Sequence, residues 1–176
     1  NLSSSAVADV SSTPEEGPTG SLFENERREL GPSLVGATAS IQRTFGPRSN
    51  AEGLLVTGGE ALAAHSSFDP DYGRAQGWIK NHAVGPAVLS PVLICGLTGA
   101  LTEAAFPQGV ITAQSMRHYK PLIVGAAVTA TIQVTAVEPA PTKQYGFDLK
   151  LKTAVRRLRD DAVIAEGTHE LWVPDY

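Results

Sequence analysis

A few residues ahead of a long apolar segment have the types that proton-transfer chemistry needs. His82 lies in Asn81-His82-Ala83-Val84-Gly85, and an imidazole gains and loses its proton near neutral pH. Asp69, Asp71 and Tyr72 form a second polar group shortly before it. An Asp within reach of His82 could orient the ring, and the Tyr72 phenol could donate to an oxygen that gains charge in a reaction. Ser90 precedes Pro91 at the start of the apolar segment, where the free amides of a helix start could polarise the same oxygen. Each residue also has a plainer reading. Asp69-Pro70-Asp71 can be a turn whose carboxylates bond local amides, His82 a hydrogen-bonded structural histidine, and Ser90 a helix cap.

These groups have to be positioned by the elements around them, and the clearest of those starts at Ser90-Pro91. Proline is tolerated at the first helical position because it has no N–H to satisfy. Leu89, Val92, Leu93, Gly96, Leu97, Ala100, Leu101 and Ala104 recur at the three-and-four spacing of one helical face. Ile94, Cys95 and Ala105 lie on the other side, so the expectation is a helix buried over most of its circumference. Gly96 and Gly99 each weaken it by about 1 kcal/mol relative to Ala, a cost that suits close approach of a sheet to the helix backbone.

Downstream the pattern changes to period two. Val128, Ala130, Ile132, Val134 and Ala136 alternate with polar residues, and Phe147, Leu149 and Leu151 do the same. Arg159-Asp160-Asp161 reads as the turn of a hairpin into Val163–Val173. The flanking Arg156 and Arg157 fit a solvated turn better than a basic binding face. Upstream, Leu34 to Phe45 partly alternates and is stopped by Gly46-Pro47, and a short helix is expected over Glu60 to His65. Residues 1–21, rich in Ser, Thr, Pro, Gly and Glu, read as a disordered tail. The expected organisation is therefore a tail over 1–21 and one domain over 22–176.

With 176 residues, 42% hydrophobic, the chain can bury one good core. A formal charge of −4 argues against a nucleic-acid partner. No stretch reaches the roughly 18 apolar residues of a membrane span, and the single cysteine excludes an internal disulfide, so a cytoplasmic protein is expected. His65, His82, His118 and His169 are dispersed, without an i, i+4 pair, and neither a metal nor another cofactor is expected. His118 and Tyr119 end a strand, where packing is the simpler account of them.

Read in order, Phe106-Pro107-Gln108-Gly109, then Lys120-Pro121-Leu122-Ile123-Val124-Gly125, then Ala165-Glu166-Gly167 resembles the MaoC-like branch of the hot-dog superfamily, and Gly85 to Phe106 is similar to its central helix. The resemblance implies an α+β hot-dog fold, a long antiparallel sheet wrapped around one helix. It also implies a dimer with ligand tunnels at the subunit interface, and a substrate presented as a thioester of coenzyme A or of an acyl carrier protein.

In the hydratases of this branch a Gly-Asp-x-Asn-Pro-x-His motif precedes the helix, and its Asp and His activate water. Here Ser66-Ser67-Phe68-Asp69-Pro70-Asp71-Tyr72 occupies that place without gaps, so Ser67 stands at the Asp and Tyr72 at the His. A competing placement sets Gly59-Glu60 over Gly-Asp and His65 over His. The loop around His82 is similar to the Gly-His-Phe-Pro-Gly loop of hydroxyacyl carrier-protein dehydratases, whose carboxylate partner falls here on Gly96.

The catalytic candidates are therefore His82, Asp71 and Tyr72, and the substrate-binding candidates Ser67, Asp69, Trp78, Ser90 and His65. The leading reading is a dehydratase or hydratase of acyl or polyketide thioesters with an altered catalytic set. Its rivals are a cyclase, isomerase or thioesterase on the same fold, and a non-catalytic subunit paired with a complete homologue.

Overall fold

The computed structural model describes residues 17–24, 29–56, 88–140 and 145–175. A single turn of 3-10 helix at Pro32–Leu34 leads into β1 (Thr38–Thr44), followed by α1 (Pro47–Val56), α2 (Pro91–Ala105), β2 (Val110–His118), β3 (Ala127–Pro139), β4 (Phe147–Arg157) and β5 (Val163–Val173). The five strands form one antiparallel sheet in the order β1-β3-β4-β5-β2. The chain thus places β1 at one edge, lays α2 across the inner face, and starts β2 at the opposite edge before filling the middle with β3, β4 and β5.

The inner face follows from the alternation. Val128, Ala130, Ile132 and Val134 on β3 and Leu149, Leu151 and Val155 on β4 are buried against Ile94, Leu97, Leu101 and Ala105 of α2. Burying a Leu or Ile side chain in this way contributes about 1.5–3 kcal/mol. The alternation breaks at one place. The β3–β4 register shifts between Val134 and Ala136, and beyond it Val137 rather than Ala136 is buried. An extra residue in one strand moves the following side chains to the other face.

The turns are those that the sequence marks. Gly125 closes the Lys120–Gly125 turn with φ of +90°, a backbone that L side chains rarely adopt, and its N–H donates to Phe45 O at 2.9 Å. The β4–β5 hairpin is closed by its own charges: Arg157 makes two bonds to Asp160, at 2.8 and 2.6 Å, and Arg156 Nη1 reaches Asp161 Oδ2 at 2.9 Å. The arginine beside it pulls the Asp160 carboxyl down to about 2. The basic cluster is the solvated turn expected of it.

Three features differ from expectation. α1 at Pro47–Val56 is a helix that the pattern did not mark; it packs on α2 where Gly53 meets the Leu93 side chain. α2 is buried on one side only, since Val92, Gly96, Ala100, Glu103 and Ala104 are exposed. Gly96 and Gly99 carry no close approach of the sheet, because a Cβ at either would meet nothing within 4 Å. The glycines belong to the side of α2 that faces away from the sheet. Within the stretch expected as a tail, residues 17–21 are described and Thr19 bridges to Ser40 in both directions, at 2.9 and 2.8 Å.

Candidate functional site at the start of the central helix

The segment leading into α2 is tied down on two sides. Val88 forms an isolated bridge with Ile123, and Leu89 N–H donates to Leu122 O at 2.7 Å. From the other side, Asn50 of α1, 2% exposed, accepts the Ser90 N–H on Oδ1 at 2.8 Å and donates from Nδ2 to Val88 O at 3.4 Å. Ser90 holds the N-cap position but its side chain makes no capping bond; the ties from Asn50 and Leu122 hold the backbone in the cap's place. Ser90 is buried, at 3% exposure, with its amide occupied.

Of the candidates named from the sequence, Ser90 alone lies among the described residues. His65, Ser67, Asp69, Asp71, Tyr72, Trp78 and His82 fall in 57–87, as does the helix expected over Glu60 to His65, and all lie outside them. What the structure does show is where that segment is attached. It leaves from Val56 at the end of α1 and returns at Val88, next to the start of α2.

Polar groups that the sequence did not single out together meet beside the first half of α2. Cys95 Sγ lies 3.8 Å from Nε2 of His118 on β2, and Gln114 Nε2 donates to the Cys95 carbonyl at 3.3 Å. Burial pushes the Cys95 thiol up and the His118 imidazole down, so both stay neutral at neutral pH. A neutral imidazole can accept a proton; a neutral thiol is a poor nucleophile. One turn further along α2, the hydroxyls of Thr98 and Thr102 face His169 of β5. Among the described residues no group of three or more His, Cys, Asp and Glu could hold a metal, and no helix is long and apolar enough to cross a membrane.

These residues escaped sequence reading for a physical reason. Gln114 and His118 lie on β2 and His169 far along the chain on β5, and only the β2–β5 register, which sets Gln114 opposite His169 and His118 opposite Ala165, brings them to one side of one helix. The available signal was a polar residue at an inward position of an alternating strand, which His169 between buried positions 165 and 171 satisfies.

One helix laid on the inner face of a five-stranded antiparallel sheet, with β2 reached only after the helix, decides the fold. The chain has the hot-dog fold.

Solved hot-dog structures agree along most of the chain. The (R)-hydratase from A. caviae involved in PHA biosynthesis superposes with a TM-score of 0.65 at 21% identity, covering 82% of this chain and 100% of that one. The ChsH1-ChsH2 complex from Mycobacterium tuberculosis gives 0.64 at 20% identity, over 80% and 98%. The MaoC-like dehydratase from Rhodospirillum rubrum gives 0.59 at 14%, over 81% and 93%. No protein-family model and no curated protein matches the sequence. The hot-dog neighbours of this chain include MaoC-like hydratases and dehydratases, as the resemblance implied.

Proposed function

We propose that this chain is a MaoC-like dehydratase or hydratase acting in the cytoplasm on an acyl or polyketide thioester of coenzyme A or an acyl carrier protein. The observation that carries the reading is the hot-dog wrap of the sheet around α2, shared over 82% of this chain and the whole of a neighbour named as an (R)-hydratase. In this reading the segment 57–87 supplies the chemistry. In hydration His82 takes a proton from water as its oxygen bonds to Cβ and then delivers that proton to Cα, and in dehydration it takes the Cα proton and returns it to the leaving hydroxyl; Asp71 orients its ring and Tyr72 donates to the thioester oxygen. Ser67, Asp69, Trp78 and His65 line the substrate, and the helix start at Ser90 polarises the carbonyl.

The active species in this reading is a homodimer. Among the described residues β2 is hydrogen-bonded on one side only, to β5, and Val92 and Val110 lie exposed, at 47% and 53%, on α2 and on that edge strand. A second copy pairing there covers both and completes the tunnel. The test is hydration of a crotonyl thioester, followed by loss of the enoyl absorbance. Hydration is expected from the wild type, with a loss of about 10²–10⁴-fold in His82→Ala. Unchanged turnover in that variant removes His82 from the mechanism, and absent turnover in the wild type removes the reaction.

A second reading has specific support. Two of the hot-dog neighbours are two-component complexes by name, ChsH1-ChsH2 and HadBC, and Ser67 and Tyr72 replace the usual Asp and His. A chain that lends only its tunnel to a complete partner fits both facts. Native mass measurement separates the two: a stable homodimer supports the enzyme, and a monomer that dimerises only with a second protein supports the subunit.

A further inference from the structure

The sheet ends at β1 on one side and at β2 on the other, and the two ends are treated differently. β1 turns the backbone groups of Thr38 and Ser40 away from β3, and a segment near the start of the chain takes all of them. Thr19 exchanges both backbone bonds with Ser40, donating to its carbonyl at 2.9 Å and accepting its N–H at 2.8 Å. Leu22 N–H donates to Thr38 O at 2.9 Å, and the Ser21 hydroxyl accepts the Thr38 N–H at 3.0 Å. The Thr19 and Ser40 hydroxyls, 3.1 Å apart, repeat the tie. Leu22, wholly buried, and Phe23, packed against the same core, anchor the segment.

The outer side of this segment offers little to a further strand. With Thr19 facing Ser40, the flanking positions Pro18 and Gly20 turn outward. Pro18 has no N–H to donate, and the Gly20 carbonyl is used in a turn, accepting the Phe23 N–H at 2.8 Å. Glycine is needed at position 20, where φ is +114° and a Cβ would lie 2.6 Å from Thr38 O. Beyond the covered residues only Gln42 and Thr44 face outward on β1 before α1 begins at Pro47, a run too short to pair stably.

We infer that residues 19–23 are an edge cap that ends the sheet at β1 and confines pairing between chains to β2. An uncovered strand edge is a template for another chain. A molecule with two such edges can add copies without limit, whereas one with a single edge stops at two when it pairs about a twofold axis. The occupant that the cap keeps out is β1 of a second copy. That strand, TASIQRT, carries one charge in seven residues and so lacks the charged side chains by which open edges protect themselves. The cap works in the same way whether the chain at β2 is a second copy or a homologue, and it does not depend on the chain's catalysing hydration.

The test uses the full chain and needs no substrate. In the wild type, hydrogen exchange of the Thr38 and Ser40 amides is expected to be about tenfold slower than that of Gln42 and Thr44; equal rates overturn the inference. Gly20→Val sets a side chain against Thr38 O, and Thr19→Pro removes the donor to Ser40 O while leaving the turn and Leu22 as they are. In either variant the Thr38 and Ser40 amides are expected to open at low protein concentration. The mean mass in sedimentation is then expected to climb with concentration to about twice the wild-type value or more, with the same two amides protected again as it climbs. Opened amides with the wild-type mass at every concentration overturn the inference. So does a larger species in which these amides stay open, and so do amides that remain protected in both variants. If one variant does not fold the other decides, and if neither folds the wild-type exchange rates do. Each mass is read against the wild type's own, monomer or dimer, so failure here leaves the hydratase reading untouched.

Discussion

Asn50 of α1 serves Ser90 as a strand neighbour would, accepting its N–H at 2.8 Å while donating to Val88 O two residues earlier. A side-chain amide carries a donating NH2 and an accepting oxygen, and here each reaches the extended residues that lead into α2. Asn50→Ala leaves a buried N–H unpaired, and the loss is expected at about 1–3 kcal/mol. Urea denaturation checks it, through a lower midpoint at unchanged slope.

Gly167 is fixed by the edge strand. A Cβ built there would overlap the Ser115 backbone carbonyl, which has no flexible end to move. Gly167→Ala is therefore expected to cost about 3 kcal/mol, the upper end for overpacking, and to loosen β2 from β5. Hydrogen exchange should show faster opening of β2 amides than of β3 or β4 amides; uniform protection would contradict the assignment.

Gly96 and Gly99 carry the opposite expectation. Both lie in α2 with open space where a Cβ would go, so Ala at either should raise stability by about 0.5–1 kcal/mol. Dilute samples should show the whole gain. If the exposed side of α2 is covered in a dimer, the gain shrinks as protein concentration rises, which denaturation across a concentration series reads directly.

Cys95 is the only thiol in the chain, and burial pushes its ionisation to higher pH. Alkylation should be slow at neutral pH and should accelerate only above the ordinary thiol range. Intact-mass kinetics across a pH series measure this. Rapid labelling at pH 7 would mean that His118 activates the thiol after all.

The strands were legible wherever one face is buried throughout. Val128 to Val134 and Phe147 to Leu151 read correctly because period-two alternation depends only on each residue's own side of the sheet. The Val134–Ala136 register shift was not legible, since a bulge is fixed by the partner strand. α1 was missed because PRSNAEGLLV has little amphipathic pattern; what holds it in place is Asn50 on the α2 leader and Gly53 under Leu93. The loop chemistry proposed for His82, Asp71 and Tyr72 rests on motif position alone.

By itself the sequence determined the antiparallel strands, the apolar helix and the turns, because each is set by neighbours within a few residues. Tertiary structure decided which polar side chains meet: Asn50 with Ser90, Cys95 with His118, and His169 with Thr98 and Thr102. Those partners lie between 23 and 71 residues apart. Strand register and helix placement bring them together, and neither leaves a local periodic mark in the chain.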